Sequence, residues 1–316
     1  MMTKIIKDID IAADEIIKGN VIGLPTETVY GLGANALNEN AVLKIFETKE
    51  RPLFNPLIVH VSVIGELEKY GVDIPDEVYN LAEKFSPGPI TYIVRKNKII
   101  PDIVSAGLEC IALRIPSHKM FREVLFRSEM PIAAPSANRS GKISPTSARD
   151  VLSELEGKIK YILDGGNCEI GIESTVMSFV GDEVKILRHG AVTKKEIEKV
   201  TGKILDGMNG KIISPGQSKN HYAPVTPLYI VQDFENLEKI KEKRIGVLDF
   251  SCYRNNREIA LNLYSDMRKL DTEKFDLIIC RKVKEQGLGI AINDRLQRAS
   301  LGEMKFIDHE LKVAAK

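Results

Sequence analysis

With 316 residues, 43% of them hydrophobic and 28% charged, the chain has room for two globular domains and carries no compositional mark of disorder. Its 45 basic side chains against 44 acidic ones leave a formal charge of +1. That balance excludes a protein that coats nucleic acid by bulk electrostatics, while leaving room for a local basic cleft.

In chain order, residues 9–18 place Ile9, Ala12, Ala13, Ile16 and Ile17 on one helical face, and Gly19 suits the stop. Strands are expected at 21–24, 57–61, 91–94, 111–115, 132–134, 161–163, 175–179 and 184–187. Helices are expected at 39–48, 76–85, 118–126, 147–155 and 193–200, the last opened by a capping box of Thr193 and Glu196. Strands and helices interleave, and the helix-free connection between 175 and 187 calls for a mixed sheet, so the class is α/β with an open twisted mixed sheet. From about 205 to 226 the pattern breaks into Gly, Pro and polar residues and reads as a linker. Strands at 228–231, 245–250 and 277–280, with helical segments between them and a final helix at 289–299, form a small Rossmann-like α/β domain. The expected division is 1–204, a linker or lid at 205–226, and 227–316. The charged helix at 193–200 and the Lys/Glu-rich run near 235–244 read as solvated faces.

Cys110, Cys168, Cys252 and Cys280 show no CxxC spacing, so free thiols in a reducing compartment are expected rather than a zinc site or a disulfide framework. Charges interrupt every apolar run of MMTKIIKDID, and no later stretch approaches the roughly 20 apolar residues of a membrane span. The expectation is a cytoplasmic protein with no membrane contact.

The residues with chemistry come in bursts. Pro25-Thr26-Glu27-Thr28-Val29-Tyr30-Gly31-Leu32-Gly33 follows a buried strand as a turn dense in hydroxyls and glycine, the place where open α/β sheets bind ligands. Lys49-Glu50-Arg51-Pro52 and Asn55-Pro56-Leu57-Ile58-Val59-His60 add two cations and a histidine. Strand alternation sets His60 on the face of Ile58, opposite Leu57, Val59 and Val61, and sets Arg114 on the face of Ala112. His60 reads either as a satisfied core histidine or as a ligand contact; Arg114 and Arg188 read either as internal ion pairs or as anion holders. Taken with Lys49 and Arg51, they point to an anion site. Ala133 to Gly141 stays small in side chain, which lets a ligand approach the backbone. Ser144-Pro145-Thr146-Ser147-Ala148 then opens a helix, either as a simple N-capped loop or as a phosphate-favouring helix start. No Walker A sequence occurs. The turns at Asp164-Gly165-Gly166 and before Thr175 read as structural.

These stretches, with Pro135-Ser136-Ala137-Asn138, Glu173-Ser174-Thr175 and His221-Tyr222-Ala223-Pro224, resemble the YrdC-like threonylcarbamoyl-AMP synthases in their long, two-domain form. The resemblance implies a nucleotidyltransferase that joins L-threonine, bicarbonate or CO2, and ATP into threonylcarbamoyladenylate with release of pyrophosphate. The product then serves tRNA modification by a separate transferase complex. It implies threonine contacts at Thr28, His60, Arg114, Ala134 and Ser174, and ATP contacts at Arg51, Asn55, the backbone near Cys110, Ser136, Ser144, Arg188 and Tyr222. Lys49 and Arg51 are the candidates for charge stabilisation. Mg2+ would shield the pyrophosphate, and no protein metal site is expected. The chain departs from the family pattern at Glu50, where glycine is usual, and at Gln217-Ser218-Lys219 in the linker. Rival readings are a carbamoyl-transfer enzyme built on the same domain and a non-catalytic RNA-binding module; a weak tRNA contact fits either enzyme.

Overall fold

Short runs of alternating or continuous apolar residues, each too short for a helix, pair here into one large sheet. The computed structural model describes residues 2–181, 183–207, 221–234, 244–307 and 310–313, with backbone alone from residue 305. Two compact units result: Met1–Ser140 with Ser144–Gln217, and Gly141–Ile143 with Ser218–Lys316.

The first unit contains β1 (Lys4–Ile6), β2 (Ile22–Leu24), β3 (Gly31–Asn35), β4 (Ile58–His60), β5 (Gly71–Val72) and β6 (Ile90–Lys96). It continues with β7 (Cys110–Arg114), β8 (Ile132–Ala133), β9 (Tyr161–Leu163), β10 (Thr175–Ser178), β11 (Lys185–Arg188) and β12 (Leu205–Asp206). Their order is β1-β9-β2-β3-β8-β4-β7-β6-β10-β11-β12, with β5 on β6. Pairs such as β4–β7 and β6–β10 are parallel, whereas β3–β8, β7–β6 and β10–β11 are antiparallel, so the sheet is mixed as expected.

Alternation sorts the side chains as the sequence demands. Leu57, Val59, Val61, Tyr92, Val94, Ile111 and Leu113 enter the large core under the helices Glu39–Lys49 and Asp76–Phe85. On the opposite face, Ile22, Leu24, Ile132 and Leu163 pack on the helices Ile9–Ile17 and Lys119–Ser128. Further along that face, Ile58, Ile93, Ala112, Val176 and Leu187 form a small cluster to which, among the described residues, no helix residue belongs. Cys110 lies against it.

Two expectations are corrected. Gly31–Asn35, read as part of a turn, is a strand: its glycines and alanine lack β propensity, but pairing with β2 and β8 supplies the backbone hydrogen bonds. At Gly33 an added Cβ would lie 2.5 Å from the Leu24 side chain, which is why the position is small. Leu205–Asp206, assigned to the linker, instead extends the sheet parallel to Lys185–Ile186. Most of the remaining linker, including Gln217-Ser218-Lys219, lies outside the described residues, as does the run 235–243.

The second unit is a three-stranded parallel sheet, β13 (Leu228–Ile230), β14 (Ile245–Leu248) and β15 (Leu277–Cys280), in the order β13-β15-β14. The helix Asn256–Thr272 connects β14 to β15, and the helix Leu288–Ala299 follows β15. A hairpin, β16 (Met304–Ile307) and β17 (Glu310–Val313), ends the described chain. Among the described residues no helix is long and apolar enough to cross a membrane, and all four cysteines are free thiols.

Candidate active site

The turn after β2 is held by its own hydroxyls. Thr26 Oγ1 donates to the Val29 carbonyl (2.7 Å) and accepts the N–H groups of Thr28 (3.1 Å) and Val29 (3.2 Å). Thr28 Oγ1 lies 2.8 Å from it. This local network lets a buried polar turn satisfy its backbone without a sheet partner. Tyr30 Oη then fastens the loop at 164–166, donating to the Gly166 carbonyl at 2.7 Å and accepting the Gly165 N–H at 3.1 Å.

The parallel register of β4 and β7 sets His60 opposite Arg114. Arg114 Nη2 donates to Glu27 Oε1 at 2.6 Å and to Thr28 Oγ1 at 3.0 Å, and Nε reaches the Gly88 carbonyl at 3.3 Å. Both partners of this ion pair are buried, 5% and 3% exposed in their side chains. Glu27 Oε2 accepts the Ser117 N–H as well. Nη1 makes no hydrogen bond to any described group. His60 Nδ1 lies 3.3 Å from the Ile132 carbonyl, which makes Nδ1 the donor and leaves Nε2 as a lone pair. That Nε2 is buried with no hydrogen-bond partner among the described residues. Burial, and secondarily the charge of Arg114, holds the imidazole down at about 3, so it is neutral across the physiological range. A buried acceptor without a donor costs about 1–3 kcal/mol, which a ligand donor would relieve.

Beside this group, Ser174 Oγ lies 2.8 Å from Thr91 Oγ1. Arg188 donates to the Ser174 carbonyl through Nε (3.1 Å) and Nη2 (3.0 Å), and Nη2 also reaches Ser174 Oγ at 3.1 Å. Gly190 passes so close that a Cβ there would lie 2.4 Å from the Thr175 nitrogen and 2.5 Å from the Glu173 oxygen. The loop before β6 joins the two clusters: Gly88 accepts from Arg114, and Pro89 accepts the Thr175 N–H at 2.9 Å.

The cationic loop adopts a less expected arrangement. Lys49, 1% exposed, ends the helix Glu39–Lys49, and its ammonium donates to the carbonyls of Ser136 (2.5 Å) and Asn138. Burial, and then the charge of Arg51, holds its pKa well below the usual lysine range. Lys49 therefore shapes the Ser136–Asn138 backbone. Glu50 stands in the left-handed region (φ 54°, ψ 42°) as the helix C-cap, the conformation that favours glycine. The departure at this position thus keeps the backbone path, and the Glu50 carboxylate meets Lys158 at 2.7 Å. Arg51 donates to the carbonyls of Asn55 (3.2 Å) and Pro56 (3.0 Å). Asn55 Oδ1 is a second buried acceptor with no hydrogen-bond partner among the described residues.

The small-residue loop packs directly on the first turn. Leu32 N–H donates to Pro135, Ala137 N–H to Tyr30, and Tyr30 N–H to Pro145, each at 2.8 Å. Ala134 N–H reaches the Ile58 carbonyl at 3.0 Å. Ser136 is only half-buried, whereas Ser144 is fully buried and donates to Glu173 Oε1 at 2.6 Å. The helix Ala148–Leu155 is not an open anion-binding start. Asp150 accepts the N–H groups of Thr146 (2.9 Å) and Ser147 (3.0 Å), and Ser147 Oγ accepts that of Asp150, so a capping box uses these donors.

The structure thus brings together Thr28, His60 and Arg114, joins Ser174 to Arg188, and joins Lys49, through the loop it holds, to Ser136. Cys110 contributes backbone at the start of β7, beside the small apolar cluster. Tyr222 belongs to the second unit, where it is 1% exposed and packs against His221, Tyr264 and Arg295. Sequence reading missed Glu27 and Thr91. Glu27 had a signal, since an acid in a turn following a buried strand requires a cation.

A family model covering the Sua5, YciO and YrdC proteins, described as telomere recombination, matches residues 14–190. A second, described as the threonylcarbamoyl-AMP synthase C-terminal domain, matches residues 192–300. The threonylcarbamoyl-AMP synthase of Pyrococcus abyssi is 42% identical over 318 residues, covering 92% of this chain and 94% of that protein. The Bacillus subtilis threonylcarbamoyl-AMP synthase is 41% identical over 321 residues, covering 93% of each. Among solved structures, P. abyssi Sua5 complexed with L-threonine matches with a TM-score of 0.89 at 39% identity, over 95% of this chain and 98% of that one. Both units being matched in sequence and in fold, this chain belongs to the Sua5/YciO/YrdC family, in the form that carries the threonylcarbamoyl-AMP synthase C-terminal domain.

Proposed function

We propose that the chain synthesises L-threonylcarbamoyladenylate from L-threonine, bicarbonate or CO2, and ATP, releasing pyrophosphate, and that the first unit holds the chemistry. The observation that carries this reading is the cluster of Thr28, His60 and Arg114, in which a buried imidazole lone pair lacks a donor and one guanidinium nitrogen lacks an acceptor. An amino acid supplies both missing partners. Its carboxylate would take Arg114 Nη1, and its ammonium or hydroxyl would donate to His60 Nε2, with Ala134 and Ser174 closing the pocket.

ATP would lie along Arg51, Asn55, Ser136, Ser144, Arg188 and the backbone at Cys110, all within the first unit. The threonine ammonium first gives a proton to solvent; the resulting amine bonds to the carbon of CO2 and releases a second proton to solvent, leaving the carbamate anion. A carbamate oxygen then attacks the α-phosphorus as the bond to pyrophosphate breaks. Two anions must meet in line, so fixed cations and donors carry the catalysis. His60, held neutral, is a weak base and orients the amino acid rather than taking its proton. Lys49 acts on the transition state by fixing the Ser136 loop. Among the described residues no cluster of three His, Cys, Asp or Glu could hold a metal. Magnesium would arrive on the ATP phosphates and shield the leaving pyrophosphate. A mixed anhydride of this kind hydrolyses readily, so we place hand-over to a tRNA-modifying transferase next, in the cytoplasm.

Pyrophosphate release should require L-threonine and bicarbonate in the wild type and vanish in Arg51→Ala. Release that ignores threonine, or is absent from the folded wild type, would overturn the assignment.

A further inference from the structure

The second unit has a cleft of its own, of about 650 Å³, within the roughly 300–1,000 Å³ range of small-ligand sites. It lies at the carboxyl ends of β13, β14 and β15, where parallel sheets gather ligands. Its walls are mixed. Phe250 and Phe234 offer aromatic surface, and the Arg281 guanidinium stands 4.4 Å from the Phe234 ring centroid. Lys282 and Lys284 follow Arg281 on the segment leaving β15.

That cationic segment is a built loop. The side chain of Asn293, 5% exposed, accepts the Val283 N–H and donates to the Val283 carbonyl, both at 2.8 Å. An added Cβ at Gly289 would lie 1.9 Å from the Lys284 carbonyl oxygen, so the helix Leu288–Ala299 receives the loop backbone only because the position is glycine. Asn256 Nδ2 donates to the Gln286 carbonyl at 3.2 Å. A loop pinned at three points presents its charges at fixed positions, unlike a solvated basic run. Those charges are weakly compensated. Arg281 approaches Asp249 only to 3.9 Å, Lys282 meets Glu303 at 3.1 Å, and Lys284 has no carboxylate partner among the described residues.

Asp249 directly follows β14, so its carboxylate stands at the carboxyl end of the sheet, on the wall of the cleft, where it can accept hydroxyl donors. Its carboxylate already accepts Ser251 Oγ (2.6 Å) and the Ser251 N–H (3.1 Å), and it has lone pairs to spare. We propose that this cleft binds a nucleotide carrying more than one phosphate, with Asp249 on the ribose, the phenylalanines beside the base, and Arg281 and Lys284 on the phosphates. This site is separate from the threonine- and ATP-consuming one and does not rest on that assignment.

The test is the stoichiometry of a non-hydrolysable ATP analogue, by equilibrium dialysis on the full chain without threonine. The wild type should bind two equivalents, Arg281→Ala/Lys284→Ala one, and Arg51→Ala should keep the equivalent that the double variant loses. One equivalent on the wild type that persists in Arg281→Ala/Lys284→Ala, or two on a double variant with unchanged thermal melting, would overturn the proposal. Should the double variant melt early, Lys284→Gln, which alters only an exposed side chain, decides it: the site that Arg51→Ala keeps should lose at least fivefold in affinity, and unchanged affinity there refutes the assignment. If Arg51→Ala retains both equivalents, the catalytic assignment fails while this one stands.

Discussion

The two faces of the first unit's sheet are made by the same strands yet do different work. Val59 and Leu113 point into a large core under helices, while their neighbours His60 and Arg114 point the other way into a cluster of charges and hydroxyls. On the core face energy comes from apolar burial and tolerates exchange among shapes of similar volume. On the site face it comes from a few paired polar atoms, each costly to orphan. One face therefore sets stability, and the other spends some of it on poised but unfilled hydrogen-bonding groups.

Arg114→Ala should show the largest effect. Removing one member of a buried pair leaves Glu27 charged and alone, a loss of about 3–5 kcal/mol in urea unfolding, together with threonine-dependent pyrophosphate release. Adding Glu27→Gln should restore much of the stability and none of the activity. Stability that stays low in the double variant would mean that Arg114 acts by packing. Next, Leu113→Ala on the core face should cost about 2–5 kcal/mol while leaving the KM for threonine unchanged below the melting transition. A raised KM would show that the faces are coupled.

Lys49→Met should be intermediate, at about 1–3 kcal/mol, since the carbonyls of Ser136 and Asn138 lose their donor while the cost of burying the amine is removed. A large rise in the KM for ATP with a modest fall in stability would mark it as a positioning residue. Comparable in size but visible only as pH falls is the stability contributed by His60. Its folded pKa of about 3 lies below the ordinary 6.5, so the unfolded chain binds a proton that the folded chain refuses. Stability from this group is complete above pH 6.5 and declines toward pH 3, about 2 kcal/mol of it between pH 7 and pH 5. His60→Gln should flatten that part of the profile by this amount; an unchanged profile would show that the imidazole titrates normally.

Much of this was legible in the chain. Alternation alone placed His60 and Arg114 away from the core, because a strand's side-chain period is two wherever the strand lies. The Thr193–Glu196 capping box and the α/β class were equally local. The strand Gly31–Asn35 was not, because its residues have no strand preference of their own and are held by partners over 90 residues away on one side. The helix start at Ser147 was open to two readings until Asp150 turned back onto the Thr146 and Ser147 amides.

What the sequence determined by itself was which residue types leave the apolar pattern, and on which side of a strand they stand. Only the tertiary structure decided their partners. Arg114 finds Glu27 at a separation of 87 residues, and Lys49 reaches the Ser136 carbonyl at the same separation. Such pairings depend on strand order and register, which are set by the packing of the whole sheet. A hydrogen bond is directional and short-ranged, so no local pattern can announce which distant atom will complete it.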